Sequence, residues 1–175
     1  AASVTACSTE DTGPSYPAGC EPLLGETDCI APFPSDFFRV ADARSRTGFV
    51  VAPSGAGKLL TADGRDGDVN AYVPDDGFSR VPSIVGALHG PLVATGLPTV
   101  LDDPSVSMNA KSTTVILRAD TGEFVAHYSD IPPKTTVSGA RAVVLRPTVV
   151  LAPKTRYVVA LQGIQTEGGR LADAG

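Results

Sequence analysis

Cysteines, clustered carboxylates and isolated serines are the side chains in this sequence whose types and spacing could do chemistry. Cys20 and Cys29 bracket a loop of about ten residues, and closing it as a disulfide is worth roughly 2–3 kcal/mol in the loop-entropy picture. That pairing is the expected one, in a segment dense in Pro, Gly, Ser and Asp that offers almost nothing else to bury. Pairing of Cys7 with Cys20, or three reduced thiols in a cytosolic protein, are the alternatives. No CxxC spacing supports a zinc site or a thioredoxin-like motif. Asp63, Asp66 and Asp68, with Asn70, crowd oxygen ligands together and are a candidate for Ca²⁺ in an extracellular setting. No Glu stands at the twelfth position of an EF-hand loop, and a solvated turn is the preferred reading. No other cofactor is expected.

A catalytic set is harder to assemble. A serine hydrolase needs Gly-x-Ser-x-Gly, because that spacing lets a strained turn project the nucleophile. The nearest match, Gly77-Phe78-Ser79-Arg80-Val81, carries Val81 where the second glycine belongs. The two imidazoles, His89 and His127, each read as strand or loop residues satisfied by backbone. Ala52-Pro53-Ser54-Gly55-Ala56-Gly57-Lys58-Leu59 lacks both the first glycine of a phosphate loop and the hydroxyl residue that would ligate Mg²⁺. Asp75-Asp76 and Asp102-Asp103 lie beside Gly or Pro and read as turn formers, not as acid/base pairs. No catalytic residue is assigned.

Composition sets the scaffold on which these residues sit. The 175 residues include 18 Gly and 15 Pro, which loosen the backbone or fix φ and so disfavour a helix bundle. With 42% hydrophobic and 19% charged residues the chain can build one modest core. A net charge of −5 gives no attraction to nucleic-acid phosphates or anionic lipid. Val4-Thr5-Ala6-Cys7 fits the small-residue pattern before a lipid-modified cysteine of bacterial lipoproteins. Alternatively, Ala1 is a mature terminus left by cleavage and Cys7 pairs outside this chain. Both readings place the protein outside the cytoplasm: secreted, periplasmic or an outer-membrane lipoprotein. No apolar run reaches the roughly 18 residues of a spanning helix.

The expected fold is all-β. Residues 1–31 read as an extended, disulfide-stapled leader. Pro32 and Pro34 block a helix start before Ser35, and Ser35 or Asp36 then caps a short turn running to about Val40, with the Phe37 and Phe38 rings buried against the main domain. Candidate strands follow at 49–52, 69–73, 81–88, 91–95, 113–118, 123–128, 141–146 and 156–161, parted by Gly- and Asp-rich turns. Strands 113–118 and 123–128, across Asp120-Thr121-Gly122, form the best local hairpin. Strand signals about every ten residues, without a sustained 3.6-residue period, predict an antiparallel immunoglobulin-like sandwich over 32–175. Pro153 sets a turn and Tyr157 opens the next strand, where sandwiches place a tyrosine corner whose hydroxyl bonds backbone a few residues upstream. The plainer alternative is a buried strand tyrosine, and either role is structural. In that topology 157–162 is the penultimate strand, so a closing strand is expected from beyond residue 175 or from another chain.

Several segments line up in order: Pro32-Phe33-Pro34-Ser35-Asp36-Phe37-Phe38, then Thr47-Gly48, then Asp76-Gly77-Phe78-Ser79. The last block is Val143-Val144-Leu145-Arg146-Pro147, Leu151-Ala152-Pro153-Lys154-Thr155-Arg156-Tyr157-Val158-Val159, Gly163-Ile164 and Gly168-Gly169-Arg170-Leu171. Together, over residues 29–174, they resemble the N-terminal region of the secreted bacterial lipases and esterases called virulence-factor lipases, whose Ig-like front domain precedes an α/β-hydrolase domain. The resemblance implies a non-catalytic portion of an exported ester hydrolase that docks on and supports the catalytic part, in the same polypeptide or a second chain. The nucleophile elbow and triad of that family lie downstream of this region. The final block is shared with Ig-like domains of adhesins and surface-layer proteins, so a stand-alone cell-surface binding module is the alternative.

Overall fold

The computed structural model describes residues 17–21, 29–58, 60–65, 67, 76–133 and 140–172, and its regular structure is almost wholly antiparallel strand. Nine strands run in chain order among these residues: β1 (Arg39–Ala41), β2 (Phe49–Val51), β3 (Ile84–His89), β4 (Leu92–Val93), β5 (Thr114–Arg118), β6 (His127–Asp130), β7 (Ala140–Pro147), β8 (Tyr157–Leu161) and β9 (Gln165–Thr166). They form small sheets in the orders β1-β2, β3-β7-β6, β4-β9 and β5-β8. β7 is the centre of the largest sheet, and its Val143-Val144-Leu145 run is buried, as a strand flanked on both edges requires. Ile84 faces Leu145 across the β3–β7 ladder, and Ile116 faces Val159 across β5–β8.

One contiguous apolar core draws on both of those sheets. Ile116, Val143 and Leu145 are fully buried and meet Ile84, Leu88 and Leu151, with Tyr157 and Leu161 packed at the margin. Each such side chain removed from water contributes about 1.5–3 kcal/mol.

The expected hairpin across Asp120-Thr121-Gly122 forms next to its turn and is shorter than expected. Arg118 and Glu123 close the turn, Leu117 bridges Phe124, and the Val125 N–H donates to the Ile116 carbonyl at 2.8 Å; from His127 onward the chain pairs with β7. Beyond Val125 the N–H groups of β6 find other acceptors: that of His127 goes to the Ser107 hydroxyl at 3.0 Å and that of Ser129 to the Pro98 carbonyl at 2.6 Å. The short turn after Pro34 ends at Phe38, not at Val40: a 3-10 turn, Asp36–Phe38, is capped by the Ser35 hydroxyl, and Arg39–Ala41 becomes strand. The run at 81–88 begins its ladder only at Ile84. The candidate strand 69–73 lies outside the described residues.

The described part of the leader is not extended away from the body. Cys20 is disulfide-bonded to Cys29, Cys20 and Ala31 are buried, and the Ala56 N–H donates to the Ala18 carbonyl at 3.0 Å. Gly19, at φ +92°, lies so close to the Ser54 carbonyl that no Cβ fits there.

Candidate functional site

Two places bring together side chains from distant segments. The first is aromatic. Residues Phe33 and Val85 exchange backbone hydrogen bonds (2.9 and 2.7 Å), which seats the Pro-rich segment against β3. The Phe33 ring then meets Phe38 at 5.9 Å and, edge-on, Phe78 at 5.6 Å. The Thr47 hydroxyl donates to the Asp76 carbonyl at 2.9 Å. Residues from the Pro32-to-Phe38, Thr47-Gly48 and Asp76-to-Ser79 segments therefore form one connected unit.

Phe38 is buried (2% exposed), but Phe37 is 44% exposed and touches Phe38 edge-on at 5.2 Å, so only one of the two rings is buried. Successive residues of a 3-10 turn point about 120° apart and cannot both enter the same side. Around Phe37 the surface mixes apolar and charged groups. Arg39 stacks over half-exposed Phe49 at 4.2 Å and donates to Asp36 at 3.0 Å, while Arg156, immediately before β8, pairs with the other Asp36 oxygen at 3.0 Å. Val40 on β1 and Val158 and Val159 on β8 are also exposed, and among the described residues β8 pairs with β5 alone.

The second place is a buried polar network. His127 Nδ1 lies 2.9 Å from the Val125 carbonyl and Nε2 lies 2.9 Å from the Thr114 hydroxyl, which in turn lies 2.8 Å from the Ser129 hydroxyl. A carbonyl can only accept, so Nδ1 carries the proton and Nε2 of the neutral ring accepts from Thr114, which then accepts from Ser129. Ser107 completes the set, donating to the Pro104 carbonyl at 2.8 Å while accepting the His127 N–H. All four residues are buried, and burial pushes the imidazole below its ordinary pKa range. The ring and hydroxyls resemble a nucleophile and base in type, but water and substrate have no access to them. Their chemistry is to hold β5, β6 and the 104–107 turn together.

The remaining sequence candidates resolve individually. The Tyr157 hydroxyl accepts from the Ala152 N–H at 2.9 Å, folding the 151–157 turn back on itself. Asp63 accepts from Thr61 and pairs with Arg65, whose hydrogen bond holds the carboxyl below its usual range; Asp66, Asp68 and Asn70 lie outside the described residues, as do Cys7 and Asp75. Among the described residues no group of three or more His, Cys, Asp or Glu side chains could hold a metal ion. Asp102 and Asp103 shape turns, accepting from Thr99 and Ser105, and the Ser79 hydroxyl accepts from the Val81 N–H. No helix among the described residues is long and apolar enough to cross a membrane.

The buried network escapes a reading by polarity, because Thr114, His127 and Ser129 look like outward positions. The usable signal is that His127 and Ser129 stand two residues apart on one strand, so both fall on the same face. No family model, curated protein or solved structure matches the chain.

Proposed function

We propose that this chain is the non-catalytic, immunoglobulin-like N-terminal portion of an exported bacterial ester hydrolase, docking on the catalytic α/β-hydrolase part and supporting it. The observation that carries the reading is the convergence of the Pro32-to-Phe38, Thr47-Gly48 and Asp76-to-Ser79 segments, three of those through which the sequence resembles that class, into one connected unit. The surface over it has the character of a docking face. Half-exposed aromatic rings beside arginine are the groups that dominate protein interfaces, and Asp36 with Arg39 and Arg156 supplies charges that fix orientation. Among the described residues β8 pairs with β5 alone, and its other edge, beside Arg156, is where a further strand from the partner portion would add. The Cys20–Cys29 disulfide suits an oxidising, extracytoplasmic location.

The test is to tag the protein in its own host, isolate it from the extracytoplasmic fraction and treat it with a fluorophosphonate probe. A reactive serine hydrolase is expected on the same polypeptide or at one-to-one stoichiometry, with its association or activity reduced by Phe37→Asp at an unchanged melting temperature. Isolation of the chain without any fluorophosphonate-reactive protein, together with binding to a glycan array, would overturn this reading in favour of a stand-alone surface module.

A further inference from the structure

The segment joining β4 to β5 folds around an open cavity of about 300 Å³, whose wall includes Leu97, Pro98, Asp102, Val106, Lys111 and Ser112. Its frame is held by hydrogen bonds. The Thr113 hydroxyl donates to the Gly96 carbonyl at 2.8 Å, and the Gln162 side-chain amide donates to the Ala110 and Ser112 carbonyls at 2.8 and 2.7 Å. Asn109 uses both ends of its amide on backbone, accepting from the Lys111 N–H and donating to the Val106 carbonyl, each at 2.9 Å. Three polar groups of the wall are left over. The Asp102 carboxylate accepts from the hydroxyl and the amide of Thr99, each at 2.7 Å, through Oδ2 alone; these bonds hold it below the usual carboxylate range, and Oδ1 has no partner among the described residues. The Lys111 ammonium makes no ion pair among the described residues, not even with Asp102 on the same cavity. Ser112 is only 8% exposed and its hydroxyl has no partner among the described residues, so what satisfies it must come from the cavity it lines. Buried Leu97 and Pro98, with half-exposed Val106, supply the apolar part of the wall.

We propose that this cavity binds a small aliphatic zwitterion, a free amino acid of the leucine type, with its ammonium at Asp102, its carboxylate at Lys111 and Ser112, and its side chain against Leu97, Pro98 and Val106. Charge selects among small ligands. A plain anion meets Asp102 and a chain of net charge −5, a plain cation meets Lys111, and a neutral polyol covers both charges while pairing neither. A molecule carrying both signs pairs both. The separation of the two charges sets this place apart from other turns: the carboxylates of Asp42, Asp63 and Asp120 are already matched by Arg44, Arg65 and Arg118. Volume sets the size. At roughly 30 Å³ for each water the cavity exchanges about ten of them, room for an aliphatic amino acid and the lower end of the range for small-molecule sites. The hydrogen-bonded frame means that binding orders little that is not already ordered. This site goes beyond the docking reading and does not depend on it.

The test is an NMR titration of the isotope-labelled full chain with leucine, N-acetylleucine and leucinamide. Leucine is expected to saturate in the millimolar range, with amide shifts concentrated in 96–98, 102–106 and 109–112. Loss of the ammonium in N-acetylleucine, or of the carboxylate in leucinamide, is expected to weaken binding at least about tenfold. Asp102→Asn keeps an oxygen for Thr99 and replaces the free one, and Lys111→Gln removes the ammonium, so both are expected to melt as the unmodified protein does. Leucine and N-acetylleucine are then expected to bind Asp102→Asn within about twofold of each other, and leucine and leucinamide to bind Lys111→Gln likewise. No saturable shift with leucine, shifts centred outside the cavity, or equal binding of all three compounds to the unmodified protein would each overturn the proposal. A preference for leucine that persists undiminished in both variants would do the same.

Discussion

The aromatic unit of Phe33, Phe38 and Phe78 and the polar network of Ser107, Thr114, His127 and Ser129 both tie together segments far apart in sequence, and they do so by opposite physics. The aromatic unit is non-directional: rings settle at tilted and edge-on angles, and its stabilisation follows area removed from water. The network is directional. Each buried donor has one acceptor within reach, so the set selects a single arrangement of β5, β6 and the 104–107 turn while contributing little net energy. The difference shows in what each leaves at the surface. Apolar packing can tolerate a leftover ring, and Phe37 remains half-exposed at the surface; a buried hydrogen-bond chain can leave nothing over.

The comparison breaks most visibly at Phe38. Its truncation, Phe38→Ala, opens a cavity where the ring touches Phe33 and Phe37, and about 3–5 kcal/mol of stability is expected to be lost in urea unfolding, equally at pH 5.5 and 7.5. Thr114→Val comes next. It keeps shape and strand propensity but leaves His127 Nε2 without a donor and the Ser129 hydroxyl without an acceptor, a loss of about 1–3 kcal/mol. Thr114→Val with Ser129→Ala removes one of those orphans and is expected to recover part of the loss. If the double variant is as unstable as the sum of the singles, the hydroxyls do not act as one chain.

How much of this was legible in the sequence follows from range. The Cys20–Cys29 disulfide and the Ala152–Tyr157 hydrogen bond close over nine and five residues, distances at which turn chemistry alone is informative. Strand-rich character was equally legible, in β-branched runs punctuated by Gly and Asp. The partner of β6 was not. The local pattern gives the pairing with β5 next to the Asp120-Thr121-Gly122 turn, but neither where it stops nor β7 on the other edge, since Ser107 and Pro98, from distant segments, take the His127 and Ser129 N–H groups. The aromatic segments could be recognised one by one, but their meeting depends on the reciprocal Phe33–Val85 hydrogen bonds, which no pattern within either segment encodes.

The smallest expected effect separates the two regions most sharply, because it depends on pH alone. His127 is neutral in the fold and its pKa lies below the ordinary value of 6.5, first through burial, against which its hydrogen bonds to Val125 and Thr114 act weakly. The unfolded chain therefore binds the proton more readily than the fold does. The contribution is fully present above pH 6.5 and is lost as pH falls below that value towards the folded pKa, at no more than about 1.4 kcal/mol per pH unit. Protonation also reverses the hydrogen bond at Nε2, so that Thr114 must donate to Ser129 and Ser129 must find a new acceptor among buried groups. The exposed carboxylates held low by their neighbours, Asp42, Asp63, Asp102, Asp103 and Asp120, titrate in a separate window below about pH 4 and leave this one clear. Stability measured between pH 7.5 and 5.5 is expected to decline in the unmodified protein and in Phe38→Ala alike, and to flatten in His127→Gln. A decline that persists in His127→Gln would remove the pH dependence from the network.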